Sequence, residues 1–287
     1  IPDAVKVPHL TGCVTFTASG FVFEPLIILP NKKTLRTLES YNQLAYFASS
    51  HAGWMTSNIF IFYCLYLVCQ LSSYRLTLPQ KLREEPILFL SDGHPSRYTF
   101  KALLILYLFN IQLVLIPPHT SHLLQAFDVA VASPLKSYFK DELVSQRFNL
   151  YIQDGVDIKK QTSRELRDSL INAFLNALRK SCSTENISMG FKKTGFVPVN
   201  AGAPLIPENV NYDNDHLLQD YYLNSERRLR ELFQKENGRE MQEADFNIQL
   251  REIVQELKKA SIEDGKCLSD LPPLFNDDIS GIVGYRL

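Results

Sequence analysis

Four consecutive apolar residues, Ile87-Leu88-Phe89-Leu90, stand behind Pro86 and end abruptly in Ser91-Asp92-Gly93-His94-Pro95. An unbroken apolar run of strand length predicts a strand buried on both faces of a sheet, and the Asp-Gly-His-Pro stop cannot continue a central strand. Residues 98–109 then read as a helix, and 111–116 as a second buried strand halted by Pro117-Pro118. Strand, helix, strand at this spacing predicts a βαβ unit with parallel strands and a right-handed crossover. The chain is thereby constrained to an α/β architecture in which ligand chemistry gathers past the carboxyl ends of the strands.

The flanking segments are read against this unit. Residues 14–17 and 26–29 predict a hairpin turning through Ser19-Gly20, and 32–50 are polar and irregular. Thr56 or Ser57 caps a helix to about residue 71, and another helix runs from about 123 to 146 despite Pro134. Residues 162–180 form an amphipathic helix with Leu166, Leu170, Ala173, Phe174 and Ala177 on one face and Ser163 as cap. A loop marked by glycine and proline follows at 190–200. Further helices are expected near 215–236 and 243–260, the second with Phe246, Leu250, Ile253, Val254 and Leu257 on one stripe. The predicted division is a first domain at 1–146, its helical continuation at 147–200, and an acidic, mostly helical tail at 201–287.

Composition narrows the function. Residues 1–200 carry 20 Lys and Arg against 14 Asp and Glu, whereas 201–287 carry 10 against 17. That asymmetry suits a body facing nucleic acid and a solvated tail. Cys13, Cys64, Cys69, Cys182 and Cys267 are odd in number and contain no Cys-x-x-Cys pair, which excludes a zinc framework or a secreted disulfide scaffold and implies a reducing compartment. The apolar run at 59–71 falls short of the roughly 20 residues that span a bilayer, and the one at 102–116 is interrupted by Asn110 and Gln112, so no membrane is expected. No glycine-rich phosphate loop and no nucleophile elbow is present, and no small-molecule cofactor is expected. Ile1-Pro2-Asp3 is neither an initiator methionine nor a signal peptide and reads as the start of a piece cut from something longer.

The acids carry the chemistry. Asp92 lies immediately past a buried strand, and Asp128 follows the next strand by a short loop and opens a helix, so both are expected at one sheet edge. Two carboxylates meeting there repel unless a hard cation with oxygen ligands, Mg²⁺ or Mn²⁺, intervenes. The competing reading makes Asp92 a turn residue and Asp128 a helix cap. His94, His119 and His122 are close by in sequence. No cysteine accompanies them, and Pro117-Pro118 breaks any helical face, so support of the acids or contact with a phosphate is expected of them rather than zinc. Gln125 is placed with them. Lys136, Lys140, Arg147, Lys159 and Lys160 are the candidate contacts to a DNA backbone.

The run 88–96 (Leu-Phe-Leu-Ser-Asp-Gly-His-Pro-Ser) and the run 114–129, with Pro117-Pro118-His119-Thr120-Ser121-His122-Leu123-Leu124-Gln125 followed closely by Asp128, resemble the signature of DDE superfamily endonuclease domains. These are the catalytic domains of pogo, Tigger and jerky-type transposases and of centromere-binding proteins derived from them. Weaker echoes follow in order at 15–20 with 25–28, at Gly53-Trp54-Met55, and at Gly190-Phe191 with 194–198. The resemblance implies a ribonuclease-H-like α/β fold, a mixed sheet with flanking helices, plus a mainly helical C-terminal region. It implies three acids holding two Mg²⁺ (or Mn²⁺) ions, one activating the attacking water or 3′-hydroxyl and the other stabilising the leaving oxygen. Asp92 matches the family's second acid and Asp128 its third.

The departures carry equal weight. No acid here matches the first, since Asp3 and Glu24 stand in the wrong context, so the fold is expected to lack its first strand and the chain to bind metal poorly. Ala126-Phe127 replaces the commoner Pro-Leu, and Arg97 stands where a second His is common. The expected function is a nuclear DDE-type transposase or endonuclease-like protein acting on DNA, inactive as this chain and able to self-associate. The alternatives are a non-catalytic, transposase-derived DNA-binding or scaffolding protein, and a domain of this fold with an unrelated partner.

Overall fold

The computed structural model describes residues 9–30, 44–153, 162–203 and 225–242, together with 244, 245, 248, 249, 251, 252 and 255. The chain divides into two units, Ile1–Asn31, Ser40–Gly53 and Pro117–Val210 in the first and Lys32–Glu39, Trp54–Ile116 and Asn211–Leu287 in the second.

The first unit holds a mixed sheet of β1 (Thr11–Cys13), β2 (Leu26–Pro30) and β3 (Tyr46–Ser50), in that order, β1 antiparallel and β3 parallel to β2. The hairpin is present, but its ladder lies at Thr11–Cys13 instead of 14–17. The tip is a tight loop closed by the Phe16–Val22 bridge, where Gly20 takes a φ of +91° and donates its N–H to the Thr17 carbonyl at 3.0 Å. The segment expected to be irregular supplies β3. Tyr46 and Phe47 favour a strand but Ala48-Ser49-Ser50 do not, and the ladder to the buried β2 carries the strand through them.

Among the described residues, five helical elements complete this unit. The single helix expected over 123–146 is broken. Short α4 (Ser121–Leu124) ends at Gln125, whose backbone is extended, and a π-helical segment (Phe127–Val131) leads into α5 (Ala132–Gln153). Pro134 lies three residues past the π-helical segment, which runs into α5 without a break in helical backbone. α6 (Ser163–Ser181) is capped by Thr162, one residue before the expected cap, in a reciprocal box with Glu165. The expected loop at 190–200 begins late, because α7 (Thr184–Thr194) runs through Gly190 and stops at left-handed Gly195. Gly190 serves proximity rather than turning: a Cβ there would lie 2.6 Å from the Ala126 carbonyl oxygen.

The second unit contains α1 (Ser57–Thr77), α2 (Gln80–Arg83), β4 (Ile87–Ser91), a 3₁₀ turn (Pro95–Arg97), α3 (Phe100–Leu108), β5 (Ile111–Leu115) and α8 (Ser225–Asn237). β4 and β5 are parallel and joined by α3, with Ile87 opposite Ile111 and Ser91 opposite Leu115. Burial on both faces does not hold for β4. Among the described residues the sheet has two strands, and Leu88 is 60 % exposed. α1 extends six residues beyond the apolar run that defines it, with the Thr56 hydroxyl accepting from the Ile59 N–H. By length and composition it could cross a membrane. Half of its apolar stretch is nevertheless buried inside the protein, including Phe60, Tyr63, Cys64 and Val68. Arg75 near its end donates to the carbonyls of Arg83, Glu85, Phe109 and Asn110, tying it to the loops before β4 and β5.

α8 does not stand apart from this unit. Leu229 and Phe233 are fully buried, and Phe233 meets Phe100 of α3 edge-to-face at 5.3 Å. Arg239 stacks over Phe233 and donates to Asp245 through its two terminal guanidinium nitrogens, Nη1 and Nη2. The stripe from Phe246 to Leu257 lies outside the described residues. The result is a mixed α/β structure in which helices outweigh two small sheets, compatible with a ribonuclease-H-like fold.

Candidate functional site

Asp92 sits where the strand pattern puts it, one residue past the end of β4. The Ser91 carbonyl accepts from the Ile116 N–H at 2.8 Å, so the ladder holds to the last residue before the acid. Beyond it the chain reverses through the 3₁₀ turn. His94 caps that turn, its Nδ1 accepting from the Ser96 N–H at 3.3 Å and lying 2.9 Å from the Ser96 hydroxyl. The Arg97 N–H donates to the His94 carbonyl at 2.9 Å. This geometry returns Arg97 to Asp92, with Nε 3.1 Å from Oδ1. Nη1 of Arg97 donates to the Ser96 hydroxyl at 3.1 Å, and its guanidinium lies 4.6 Å from the centre of the Phe60 ring. The Arg97 side chain is only 12 % exposed, that of Asp92 41 %. Sequence reasoning had Arg97 only as a departure from the family pattern. Its link to Asp92 spans five residues, a separation that neither helix nor strand periodicity flags.

The other acid and its neighbours belong to the first unit. Pro117-Pro118 lead into a tight turn in which His119 adopts a φ of +63°, while the buried Thr120 donates its hydroxyl to the Pro117 carbonyl at 2.7 Å. His119, His122 and Asp128 are exposed, and Gln125 is half-buried. Asp128 lies within the π-helical segment, a geometry often found at functional positions. Its neighbour Phe127 stacks on Phe16 of the hairpin at 6.5 Å, and Phe16 in turn meets Phe191 of α7 at 6.0 Å. Three aromatic rings and the Gly190–Ala126 approach therefore fix the backbone that presents Asp128.

Lys136, Lys140 and Arg147 are exposed along α5, and spacings of four and seven residues place them on one face. The nearby acid Glu142 is taken up elsewhere. Lys180 of α6 donates to it at 2.6 Å and Asn176 at 3.3 Å, and the Lys180 partner holds its carboxyl below the usual range. Lys159 and Lys160 lie outside the described residues.

Comparison with known proteins extends this geometry. The family described as DDE superfamily endonuclease matches residues 9–191, a stretch containing Asp92, Asp128 and the α5 stripe. The chain is also 30 % identical over 112 residues to a Cochliobolus lunatus protein named MFS-type transporter clz9, covering 39 % of this chain and 11 % of that protein. The shared region is thus a small part of the relative. No solved structure matches.

Domains of the matched family generally use divalent metals, and Asp92 offers a test of fit. Its Oδ1 is committed to a guanidinium, and Nδ1 of the adjacent His94 is committed to Ser96. Among the described residues, no three His, Cys, Asp or Glu side chains are gathered to hold a metal ion. The donor set at the end of β4 does not fit one.

Proposed function

Since the chain belongs to the DDE superfamily endonucleases, we propose that it is a pogo-type, transposase- or endonuclease-like protein that acts on DNA in the nucleus and that these 287 residues alone do not cut it. Domains of the superfamily act on DNA. Asp92 and Asp128 take the positions of the family's second and third acids, with His94, His119, His122 and Gln125 as hydrogen-bonding support or phosphate contacts. Lys136, Lys140 and Arg147, with Lys159 and Lys160, neutralise the DNA backbone. The observation that carries this reading is the position of Asp92 directly past a parallel strand, inside the matched stretch. The absence of cleavage follows from the acids: none of this sequence matches the family's first. The second reading, a DNA-binding or scaffolding protein without catalysis, is favoured by the commitment of Asp92 to Arg97.

Two measurements test the proposal. Fluorescence anisotropy of a labelled duplex should show binding that weakens steeply with salt. Replacing Lys136, Lys140 and Arg147 together by Ala should reduce the log–log salt slope by roughly 2 to 3, at about 0.9 per lost phosphate contact. A plasmid-nicking assay with Mg²⁺ or Mn²⁺ should show no nicking by the parent chain. Failure to bind duplex at low salt would sink the DNA reading. Nicking that Asp92→Ala and Asp128→Ala both abolish would sink the non-cutting one.

A further inference from the structure

We propose that Arg97 is a built-in cation on Asp92, which neutralises the carboxylate and keeps divalent ions from it, so that Asp92 anchors the Pro95–Arg97 turn instead of ligating a metal. The inference rests on the reading of the chain as a DDE-type domain and deepens it.

The guanidinium is held by three separate groups: the Asp92 carboxylate at 3.1 Å, the buried Ser96 hydroxyl at 3.1 Å, and the face of Phe60 at 4.6 Å. Each acts on a different part of the side chain, so releasing Asp92 would mean leaving the ring and the hydroxyl as well. Phe60 is itself fixed, being 1 % exposed within α1. Ser96 is 5 % exposed, so its hydroxyl has little access to water in exchange. A guanidinium this buried is held in place by its carboxylate partner, because removing one member of such a pair leaves the other desolvated and unpaired. The cation–π contact adds to the hold.

A divalent ion has no room electrically. Bound to Asp92 at about 2.1 Å from an oxygen, it would lie within roughly 5 Å of the guanidinium, where like charges repel strongly in the low effective dielectric of a half-buried site. Among the described residues no three His, Cys, Asp or Glu side chains gather there to compensate, and Nδ1 of the adjacent His94 is turned to Ser96. The whole arrangement comes from residues 60–97 of one unit, so it is intrinsic to that unit.

The test is titration of the full chain with Mn²⁺, following free Mn²⁺ by electron paramagnetic resonance, with circular dichroism to confirm folding. The parent and Asp92→Asn should titrate alike. Arg97→Gln, which keeps the first three side-chain carbons but removes the charge and the outer guanidinium atoms, should gain a site at least about tenfold tighter than any in the parent, the least expected from lifting one charge at this range. Adding Asp92→Asn to Arg97→Gln should abolish that site, and Arg97→Lys, which keeps the charge, should behave as the parent. Mn²⁺ binding by the parent that Asp92→Asn removes would overturn the proposal, as would a folded Arg97→Gln that gains nothing. Should Arg97→Gln fail to fold, the parent and Asp92→Asn decide alone: equal titrations support the proposal and a loss overturns it. Duplex binding of the same samples without metal keeps the two readings separate, since its absence would refute the DNA function and leave the Mn²⁺ result standing.

Discussion

Replacing Phe233 by Ala tests whether the C-terminal region is part of the fold that carries Asp92. Phe233 is 1 % exposed, packs edge-to-face on Phe100 at 5.3 Å, and lies under the Arg239 guanidinium at 5.0 Å. Truncating a fully buried Phe removes its transfer free energy and leaves a cavity, together about 3–5 kcal/mol. The ring–ring geometry, about 0.5–1.5 kcal/mol, and the cation–π contact push the value toward the upper end. Phe148→Ala is the matched control: the same atoms are removed from a side chain 62 % exposed on α5, where about 0.5 kcal/mol or less is expected. Guanidinium unfolding followed by far-ultraviolet circular dichroism, which reads the helices of both units, measures the difference. A loss of about 4 kcal/mol corresponds to a fall in melting temperature on the order of 10 °C. If Phe233→Ala destabilises no more than Phe148→Ala, α8 is not core and the packing argument is wrong.

Two other substitutions probe the remaining structure. Gly190→Ala places a methyl 2.6 Å from the Ala126 carbonyl oxygen, a backbone atom that cannot step aside cheaply, so a loss of roughly 1–3 kcal/mol is expected in urea melts; an unchanged midpoint would mean that α7 shifts freely. The Arg239 guanidinium and the Gln242 N–H push the Asp245 carboxyl from 3.8 down to about 2. Because the folded value lies below the unfolded one, the pair contributes fully above about pH 4 and is lost as pH falls through about 2. Urea midpoints at pH 5 and pH 2.5 should therefore converge for Asp245→Asn and the parent as the medium is acidified, and a constant gap would refute the assignment.

The parallel pair β4–β5 was legible because apolar runs bounded by proline and glycine leave little choice of structure, and the cap of α1 was legible to within one residue, as Thr56 or Ser57. What escaped the sequence was set by distant partners. Tyr46–Ser50 becomes a strand because β2 offers a ladder, which its two serines do not announce. Gly190 reads as a loop marker in sequence, yet sits mid-helix to admit the Ala126 carbonyl. The break at Gln125 and the π-helical segment carrying Asp128 arise where Phe127 meets Phe16, more than a hundred residues earlier. Leu88 looked like core in a continuous apolar run, but a two-stranded sheet cannot cover it. At the site, the position of Asp92 could be read directly. Its Arg97 partner depends on a turn whose geometry comes from the His94 cap and Pro95 together.

The packing of α8 on α3 also sets an order of events during synthesis. Phe100 leaves the ribosome 133 residues ahead of Phe233, and every described helix of the first unit is made in between. At about 5–20 residues per second, the apolar face of α3 waits roughly 7 to 27 s for its cover. By the end of that interval the described helices of the unit that carries Asp128 have all been made, while the core of the unit that carries Asp92 still lacks α8. A ribosome stalled before residue 225 would therefore release a chain in which α8 never covers the apolar face of α3.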